Sequence, residues 1–232
     1  MTKNFDALVL TCEHGGNEVP AAYTSLFAEQ TDVLATHRGW DIGALAVAQG
    51  LAKSLDLPLH YSTTTRLLID LNRSLNVKGV WSTWSRELDH AEQSKIIERY
   101  YAPYRNAVED HLTQLVTEGK RVLHLSIHSF TPVLNGETRK AEVGILYDPK
   151  RNFEAAVART LCAAVRAEDD ALQVRKNYPY VGYSNGFTTA LRRKLPMALY
   201  AGIEIETRQD EIAAPVGQRR FIDTYTRAIQ RL

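Results

Sequence analysis

Three apolar runs in this chain each lead directly into a cluster of polar side chains. The clusters are Glu13–Glu18, Asp70–Arg73 and Ser126–Ser129. Short runs of aliphatic and β-branched residues that are bounded by turn-forming residues are typical of buried strands. Because ligands of open α/β sheets bind at the carboxyl ends of the strands, polar groups placed there face a shared crevice. The sequence therefore predicts an α/β fold whose functional site lies at strand ends.

Helical patterns alternate with these strands along the chain. Apolar residues recur at helical spacing from Ile42 to Leu55, and Asp41 is placed to act as the N-cap of that helix. Glu92–Glu118 has a long helical pattern that Pro103 is expected to bend or divide, because proline lacks a backbone donor and clashes with the preceding turn. The other predicted elements are strands Ala7–Thr11, Arg66–Asp70, Arg121–Ile127, Ala141–Tyr147 and Ala198–Thr207, helices Asn152–Ala167 and Gln218–Leu232, and a loop over Asn177–Gly186. This order predicts one α/β domain over residues 1–232, with helices on both faces of the sheet.

The size and charge of the chain point to a small-molecule partner. A chain of 232 residues fits one domain, which at this size buries roughly 70–75% of the surface of the unfolded chain. Its 28 basic and 27 acidic residues nearly balance, so no overall field attracts nucleic acid or an anionic membrane. An enclosed site for a small molecule is compatible with both properties, and the oligomeric state is left open.

The cysteines and the N-terminal segment favour a cytoplasmic location. Cys12 and Cys162 are the only cysteines, and two separated thiols suit a reducing compartment better than a disulfide-linked secreted domain. Met1–Asp6 is polar and lacks the charged, apolar and cleavage regions of a signal peptide. No apolar run approaches the ~20 residues needed to cross a bilayer.

Two histidines, His14 and His128, stand in the first and third polar clusters. Two imidazoles and a carboxylate that share an ion with one open position form a catalytic zinc site, where the pKa of bound water falls to about 7. The residues alone leave other roles open, because a histidine beside two glycines can equally bind an anion or pack in a loop. Sites of this ligand type also accept other first-row metals, so zinc is inferred from the ligand chemistry.

Several segments resemble known zinc hydrolases. Thr65–Arg73 resembles the arginine and Asp-x-Asn-Arg of aspartoacylases, and Ser126–Phe130 resembles the segment that holds the second zinc histidine of zinc carboxypeptidases, which share one fold. Over nearly the whole chain the sequence resembles the N-formylglutamate amidohydrolase family. The matching segments, in order, are Cys12–Gly16, His37–Gly43, Arg66–Arg73, His128–Ser129 and Gly202–Glu206. The resemblance implies a mixed sheet of the zinc carboxypeptidase type and hydrolysis of an N-formyl or related N-acyl amino acid, with N-formylglutamate as the family's named substrate.

The resemblance implies one zinc ion held by His14, His128 and a carboxylate. In aspartoacylases and carboxypeptidases the carboxylate lies three residues after the first histidine, whereas Glu18 lies four after His14 and Glu13 lies immediately before it. Asp41 is preferred, because the formylglutamate family looks similar in placing an aspartate there. The competing interpretation is that Asp41 only caps the helix, a role worth about 1 kcal/mol that needs no metal.

The resemblance also implies the groups that act on the substrate. In related hydrolases a glutamate on the last core strand takes a proton from water and later gives it to the departing amine, and Glu206 occupies that position. Glu204 shares the same face of the predicted strand, so spacing alone leaves the choice open, and a structural ion pair with Arg208 is the alternative for either. Arg66 resembles the arginine that polarises the scissile carbonyl and stabilises the oxyanion.

Other arginines are candidates to bind the carboxylates of the substrate. Asn72 and Arg73 resemble the pair that grips the α-carboxylate, and Asp70 is expected to orient Arg73, with a purely structural Asp–Arg pair as the alternative. A second carboxylate would need its own cation, for which Arg192 and Arg193 are candidates unless they form a solvated helix face.

A few aromatic residues and histidines are candidates for less specific roles. Tyr178, Tyr180 and Tyr183 are candidates to donate a hydrogen bond to the acyl oxygen, although tyrosines beside proline also pack loops. His37 and Trp40 match the family segment and are expected to hold the metal ligands through outer hydrogen bonds. The remaining histidines match no motif, and they are His60, His90, His111 and His124.

Two other functions compete with deformylation. A carboxypeptidase-type peptidase would share the scaffold but would need a longer groove than a compact chain suggests. A non-catalytic protein could keep the fold and use Arg66 and Arg73 to bind a dicarboxylate. The presence of Glu206 and of both histidines argues against that second alternative.

Overall fold

A six-stranded mixed sheet forms the centre of the protein in the computed structural model, which describes residues 5–232. Its strands are β1 Ala7–Cys12, β2 Leu59–Tyr61, β3 Val122–Phe130, β6 Val143–Leu146, β7 Val174–Lys176 and β8 Tyr200–Arg208, and a separate hairpin pairs β4 Val133–Leu134 with β5 Glu137–Thr138. The strand order is β2-β1-β3-β8-β6-β7. The first four strands in this order are parallel, whereas β6 runs antiparallel to β8 and parallel to β7. The predicted α/β class with a mixed sheet is therefore confirmed.

Helices cover both faces of this sheet. They are α1 Thr31–Leu34, α2 Ala44–Leu55, α3 His90–Ile96, α4 Ala102–Thr117, α5 Asn152–Glu168, α6 Phe187–Lys194, α7 Gln209–Ile212 and α8 Pro215–Gln230. Buried side chains of α2, α5 and α8 join the main apolar cluster on one face, while those of α4 and α6 form a second cluster on the other. Within residues 5–232 no helix is long and apolar enough to cross a membrane.

The two faces of the central strands differ in chemistry. Side chains alternate along a strand, so residues two apart share a face. Leu123, Leu125 and Ile127 of β3 belong to the main apolar cluster, and so do Ile203 and Ile205 of β8. The opposite face carries polar residues at the alternate positions, His124, Ser126 and His128 of β3 and Glu204 and Glu206 of β8, all of them buried. One face of the sheet therefore supplies the core, and the other supplies a buried polar surface.

Arg66–Asp70 is not a strand, which corrects the sequence prediction. The segment forms a turn, and its aliphatic residues Leu68 and Ile69 pack with Phe27 and Val80 in a third apolar cluster beside the sheet. A short apolar run indicates that its residues are buried, but it does not specify whether the backbone is a strand, a helix or a turn. The strand at this edge of the sheet is β2, which pairs with β1.

Helix α2 begins later than predicted, at Ala44, and its N-cap is Gly43 with φ +81°. Asp41 is therefore not the N-cap, and the capping interpretation is wrong. The bend expected near Pro103 takes the form of a π-helical turn, Ile97–Tyr101, that joins α3 directly to α4 with the proline in the first turn of α4. Strand β3 extends three residues beyond its predicted end, so that His128 lies within the strand.

The loop over Asn177–Gly186, which the sequence predicts, crosses β6 at very short range. Gly144 of β6 pairs with Glu206 of β8, and an ideal Cβ on Gly144 would lie 1.7 Å from the carbonyl oxygen of Tyr178. Only a residue without a side chain lets the loop backbone approach this closely. The absence of a side chain at Gly144 thus fixes the loop against the strands that carry the polar face.

We expect Gly144→Ala to lower the free energy of unfolding by about 1–3 kcal/mol, because the added methyl group overlaps backbone that cannot move away freely. The matched control is Gly79→Ala, where a Cβ meets nothing within 4 Å and the change should stay within about 0.5 kcal/mol. Urea unfolding followed by far-ultraviolet circular dichroism measures both. Equal unfolding midpoints for the two variants would contradict the close approach.

Candidate active site

A cavity of about 360 Å³ opens where the carboxyl ends of β1, β3 and β8 meet. Its lining combines residues of the predicted site with others from the surrounding loops. They are His14, His37, Arg38, Asp41, Arg66, Leu67, Asn72, Arg73, His128, Ser129, Phe130, Thr131, Leu146, Tyr180, Ser184, Asn185, Glu204 and Glu206. The polar clusters that follow separate segments of the sequence therefore share one crevice.

Three of these side chains converge on a single point. His128 Nδ1 lies 2.8 Å from Asp41 Oδ2, and His14 Nδ1 lies 3.4 Å from the same oxygen. The two imidazole rings are 5.2 Å apart between centroids. His14, Asp41 and His128 are each buried, and one ligand atom from each lies within 4.8 Å of the others. Among residues 5–232 no other group of three such side chains is arranged to hold a metal ion.

Each imidazole is held from behind by a carboxylate. His14 Nε2 lies 2.7 Å from Asp70 Oδ1, and His128 Nε2 lies 3.1 Å from Glu13 Oε2. Ser126 Oγ donates to Glu13 Oε2 at 2.6 Å and lies 2.8 Å from His128 Nε2. Histidine ligands in metal sites are commonly oriented by such an outer carboxylate, which fixes the ring and raises the basicity of the ligating nitrogen. Because both Nε2 atoms are engaged, both Nδ1 atoms are directed at Asp41.

The charges in this cluster fit a divalent cation. Glu13, Asp41 and Asp70 are buried carboxylates, and Arg66 is the guanidinium in contact with them, through Asp41 and Asp70. Metal ligation requires neutral imidazoles, and these four groups then leave two negative charges that a divalent ion would neutralise. Burial lowers the pKa values of His14 and His128, as the charge of Arg66 does for His14, but the neighbouring carboxylates raise both above their ordinary value, so two imidazolium groups supply the same positive charge when no ion is bound. Two nitrogen donors, one carboxylate oxygen and an open side toward the cavity also match the donor set of a catalytic zinc site. The residues present therefore fit a divalent ion such as zinc.

The pKa values of the carboxyl groups reflect these contacts. Burial alone raises the pKa of Glu13, but the hydrogen bond and charge of His128 and the hydrogen bond of Ser126 lower it well below its ordinary value. The pKa of Asp41 is lowered in the same way by His14 and His128, against the effect of burial. Both groups are therefore ionised at neutral pH.

Glu206 differs from the other buried carboxylates of the site. Its Oε2 atom has no hydrogen-bond partner among residues 5–232, although the side chain is only 6% exposed and lines the cavity. Burial raises the pKa of the Glu206 carboxyl to about 7, against the lowering charge of His128. Glu204, on the same face of β8, accepts a hydrogen bond from Thr188 Oγ1 at 2.5 Å. Of the two glutamates, Glu206 is the one that pairs directly with His128 of β3 and that has a buried carboxylate oxygen without a partner within residues 5–232.

Arg66 lies against the same cluster from the loop side. Its Nη1 donates to Asp41 Oδ1 at 3.2 Å and its Nη2 to Asp70 Oδ2 at 2.7 Å, while a quarter of the side chain is exposed toward the cavity. Burial lowers the pKa of this guanidinium, but the two aspartates raise it above its usual value, so the group stays charged. A fixed cation therefore stands beside the convergence point.

The sequence profile of the N-formylglutamate amidohydrolase family matches residues 6–213. The chain belongs to this family. Among solved structures it is similar to a gene product of Agrobacterium tumefaciens, with 31% identity, 97% of this chain and 89% of that chain covered, and a TM-score of 0.84. It also shares the fold of the N-formylglutamate amidohydrolase of Ralstonia eutropha, with 19% identity, coverage of 97% and 91%, and a TM-score of 0.71. A comparison with curated protein sequences finds no significant match.

Asn72 and Arg73, which the sequence assigns to the substrate, both line the cavity of this amidohydrolase. Arg73 Nη1 donates to the carbonyl oxygen of Asn185 at 2.6 Å, and Asn72 Oδ1 accepts from the backbone N–H of Phe187 at the start of α6. Asp70 does not orient Arg73 through its side chain. Its carboxylate is instead bound to His14, Arg66 and the backbone N–H of Asn72, which corrects the predicted pairing.

Arg192 does not reach the cavity, which corrects its assignment as a substrate ligand. Its Nη2 lies 2.8 Å from Glu154 Oε1, and its Nε donates to Glu154 Oε2 at 3.0 Å. The remaining donors bind the carbonyl oxygens of Gly182 and Gly202 and the hydroxyl of Thr189. The charge of Arg192 is therefore neutralised inside the fold, behind α6.

Some of the remaining candidate residues line the cavity, and others lie outside it. Tyr180 lines the cavity, whereas Tyr178 packs edge-on against Phe130 and Tyr183 is exposed away from the lining. His37 lines the cavity, but the carboxylates that contact the imidazoles of His14 and His128 from behind are Glu13 and Asp70. Within the described chain neither His37 nor Trp40 makes such a contact. Of the alternative metal carboxylates, Glu18 is exposed and accepts from Thr63 Oγ1, while Glu13 lies behind His128.

Three of the four histidines without motif support, His60, His111 and His124, have structural partners. His124 is bound between Thr11 Oγ1 and the hydroxyl of Tyr200, both at 2.8 Å, and burial lowers its pKa to about 4, so its ring is neutral. His60 and His111 form a hydrogen-bonded pair at 3.0 Å between β2 and α4. Neither arrangement touches the cavity.

Sequence reasoning missed the outer roles of Glu13, Ser126 and Tyr104. Tyr104 Oη donates to Glu13 Oε1 at 3.0 Å from the helix α4 that covers the polar face. Ser126 stands two residues before His128 on the same strand face, a period-two signal that could have identified it. Nothing in the local sequence links Tyr104 to Glu13, which are 91 positions apart.

The three carboxylates considered as metal ligands should separate in a series of amide variants. If Asp41 is a direct ligand, as its position predicts, Asp41→Asn should leave little zinc bound after gel filtration. Glu13→Gln removes an outer partner of His128, so zinc affinity should fall by about 10–100-fold while binding persists. Glu18→Gln, at an exposed position, is the matched control and should bind zinc as the unmodified chain does. Metal content by mass spectrometry and chelator competition give the readout, and full zinc occupancy in Asp41→Asn would rule out Asp41 as a ligand.

Proposed function

We propose that this amidohydrolase is zinc-dependent and removes the formyl group from N-formylglutamate, or a closely related acyl group from an N-acyl amino acid, to give formate and the free amino acid. The observation that carries the proposal is the convergence of His14, Asp41 and His128 beside the unpartnered carboxylate oxygen of Glu206. The family to which the chain belongs supports amide hydrolysis as the reaction.

His14 Nδ1, His128 Nδ1 and Asp41 Oδ2 would hold the ion, with Asp70 and Glu13 orienting the two rings. A zinc ion bound by such ligands supplies Lewis acidity, which makes water a stronger acid and polarises a carbonyl oxygen. The chain's own part is to fix the donors rigidly, because all three ligands and both outer carboxylates are buried.

Glu206 is proposed as the general base and acid. A pKa near 7 lets one carboxyl group accept a proton from the attacking water and return it to the departing amine at neutral pH. Its buried Oε2 atom has no hydrogen-bond partner within residues 5–232, so the protein leaves its capacity to accept a proton unused. Glu204 is less suited to this task because Thr188 occupies one of its oxygens.

Arg66 and the Asn72–Arg73 pair are proposed to hold the substrate. Two of the N–H groups of Arg66 bind aspartates, which orients the guanidinium so that its remaining donors can stabilise charge on the scissile carbonyl oxygen. A donor of this kind is worth about 3–4 kcal/mol in comparable sites. Arg73 has a planar fork suited to a carboxylate, and the contact with Asn185 orients it at the cavity wall.

The volume of the cavity favours a small substrate over a peptide. About 360 Å³ lies at the lower end of the range of roughly 300–1,000 Å³ that ligand sites occupy. An N-acyl amino acid fits such a space, whereas a peptidase needs an extended groove for the rest of its substrate.

The buried unpaired thiols of Cys12 and Cys162 are in keeping with the cytoplasmic location inferred from the sequence.

Replacing each glutamate of β8 in turn tests the assignment of the base. Glu206→Gln should lower kcat for N-formylglutamate by about 10²–10⁴-fold with zinc content unchanged, because proton transfer is lost and the metal ligands remain. Glu204→Gln, the matched variant on the same strand face, should keep most of the activity. The assignment is wrong if Glu204→Gln is the inactive variant, and the reaction itself is wrong if the zinc-loaded chain releases no formate.

A further inference from the structure

The cavity holds more positive charge than catalysis requires. Arg66 is neutralised by Asp41 and Asp70, and Arg192 by Glu154. Arg38 and Arg139 are different, because no carboxylate within residues 5–232 lies within 4.0 Å of either guanidinium. Within the described chain Arg73 also lacks a carboxylate partner and is assigned to the α-carboxylate of the substrate, so Arg38 and Arg139 remain as cations without an assigned counter-ion.

Arg139 is held in place by cavity-lining residues. Its Nη1 donates to the hydroxyl of Tyr180 at 3.1 Å and to the carbonyl oxygen of Thr131. Its guanidinium also lies over the rings of Tyr180, at 4.9 Å, and Phe130, at 5.7 Å. Tyr180, Phe130 and Thr131 all line the cavity. Stacking and hydrogen bonding orient this cation in advance, which reduces the entropy lost when it binds an anion.

Arg38 approaches from a different segment of the chain. It lines the cavity next to His37, and its guanidinium lies 5.5 Å from the centroid of the Trp84 ring. Burial and then the positive charges of Arg66, Arg139 and Arg38 lower the pKa of His37. Arg38 lines the cavity itself and Arg139 contacts three residues of the same lining, so both guanidinium groups border one cavity.

A substrate with one carboxylate leaves these two arginines without a partner. Asn72 and Arg73 are proposed to bind the α-carboxylate, and the ion and Arg66 would face the acyl group. The cavity-lining carboxylates Glu204 and Glu206 oppose the entry of an anion, so a substrate with a second negative charge needs compensating cations. Guanidinium groups that are stacked and without a counter-ion are well suited to bind a carboxylate through charge-assisted hydrogen bonds.

We propose that Arg38 and Arg139 are specificity-determining residues of this site and form a cationic rim that binds the side-chain carboxylate of an acidic N-acyl amino acid. This inference rests on the proposed function, since it names the residues that bind the second carboxylate of its substrate. It also replaces Arg192, which the sequence had suggested for this role.

The test compares N-formylglutamate with N-formylglutamine, which is nearly isosteric but lacks the second charge. In the zinc-loaded double variant Arg38→Gln, Arg139→Gln, kcat/KM for N-formylglutamate should fall at least about 10-fold, while the value for N-formylglutamine stays within about twofold. Each single variant should show part of this loss. The matched control is Arg175→Gln, whose guanidinium lies over Tyr178 outside the cavity lining and whose removal should change neither substrate.

Equal losses for both substrates, or no loss for either, would overturn the proposal. If the unmodified chain hydrolyses neither compound, the proposed function fails. Calorimetric titration with L-glutamate and L-glutamine then tests separately whether Arg38 and Arg139 bind a carboxylate. A glutamate affinity that falls at least about 10-fold in the double variant, with glutamine unaffected, supports the rim independently of turnover. Unchanged glutamate affinity, or no glutamate binding to the unmodified chain, contradicts it.

Discussion

The structure of the site depends on the neutralisation of buried charge. Glu13, His128, Asp41, His14 and Asp70 form a continuous line of contacts in which carboxylates and imidazoles alternate. Arg66 closes this line by binding both aspartates. Three carboxylates against one guanidinium leave an excess of two negative charges, and a low-dielectric interior tolerates such an excess only when a partner is present. Without an ion the carboxylates favour protons on His14 and His128, whose pKa values are raised, and a divalent ion between the two imidazoles and Asp41 would take the place of those protons.

The apolar face of the sheet supplies the stability that offsets the cost of burying these charges. One face of β3 and β8 carries leucine and isoleucine and forms the main apolar cluster, so the fold obtains its stability there. The opposite face is free to carry His124, Ser126, His128, Glu204 and Glu206, which helices α4 and α6 and the loops above them cover. Because β3 and β8 are adjacent and in register, His128 and Glu206 are direct neighbours. The strand pairing therefore brings a proposed ligand and the proposed base together without any contribution from loops.

The sequence predicted the site better than it predicted the elements that carry it. His14, Asp41 and His128 could be chosen because ordered motifs matched a family, although spacing alone favoured no carboxylate. The failures have physical causes. Arg66–Asp70 reads as a strand because its aliphatic residues are buried, yet they are buried in a separate cluster beside the sheet. Arg192 carries the right charge for a substrate ligand, but Glu154, 38 positions away, neutralises it in the interior, and such long-range pairs leave no local signal.

The proposed chemistry requires a divalent ion at the point where the two imidazoles meet, and X-ray absorption spectroscopy at the zinc edge observes that point directly. The chain loaded with zinc and freed of excess metal should contain about one ion per chain, with two nitrogen neighbours at about 2.0–2.1 Å, oxygen completing the shell and no sulfur. A chain that retains no zinc, or a zinc ion with a sulfur neighbour at about 2.3 Å, would contradict it.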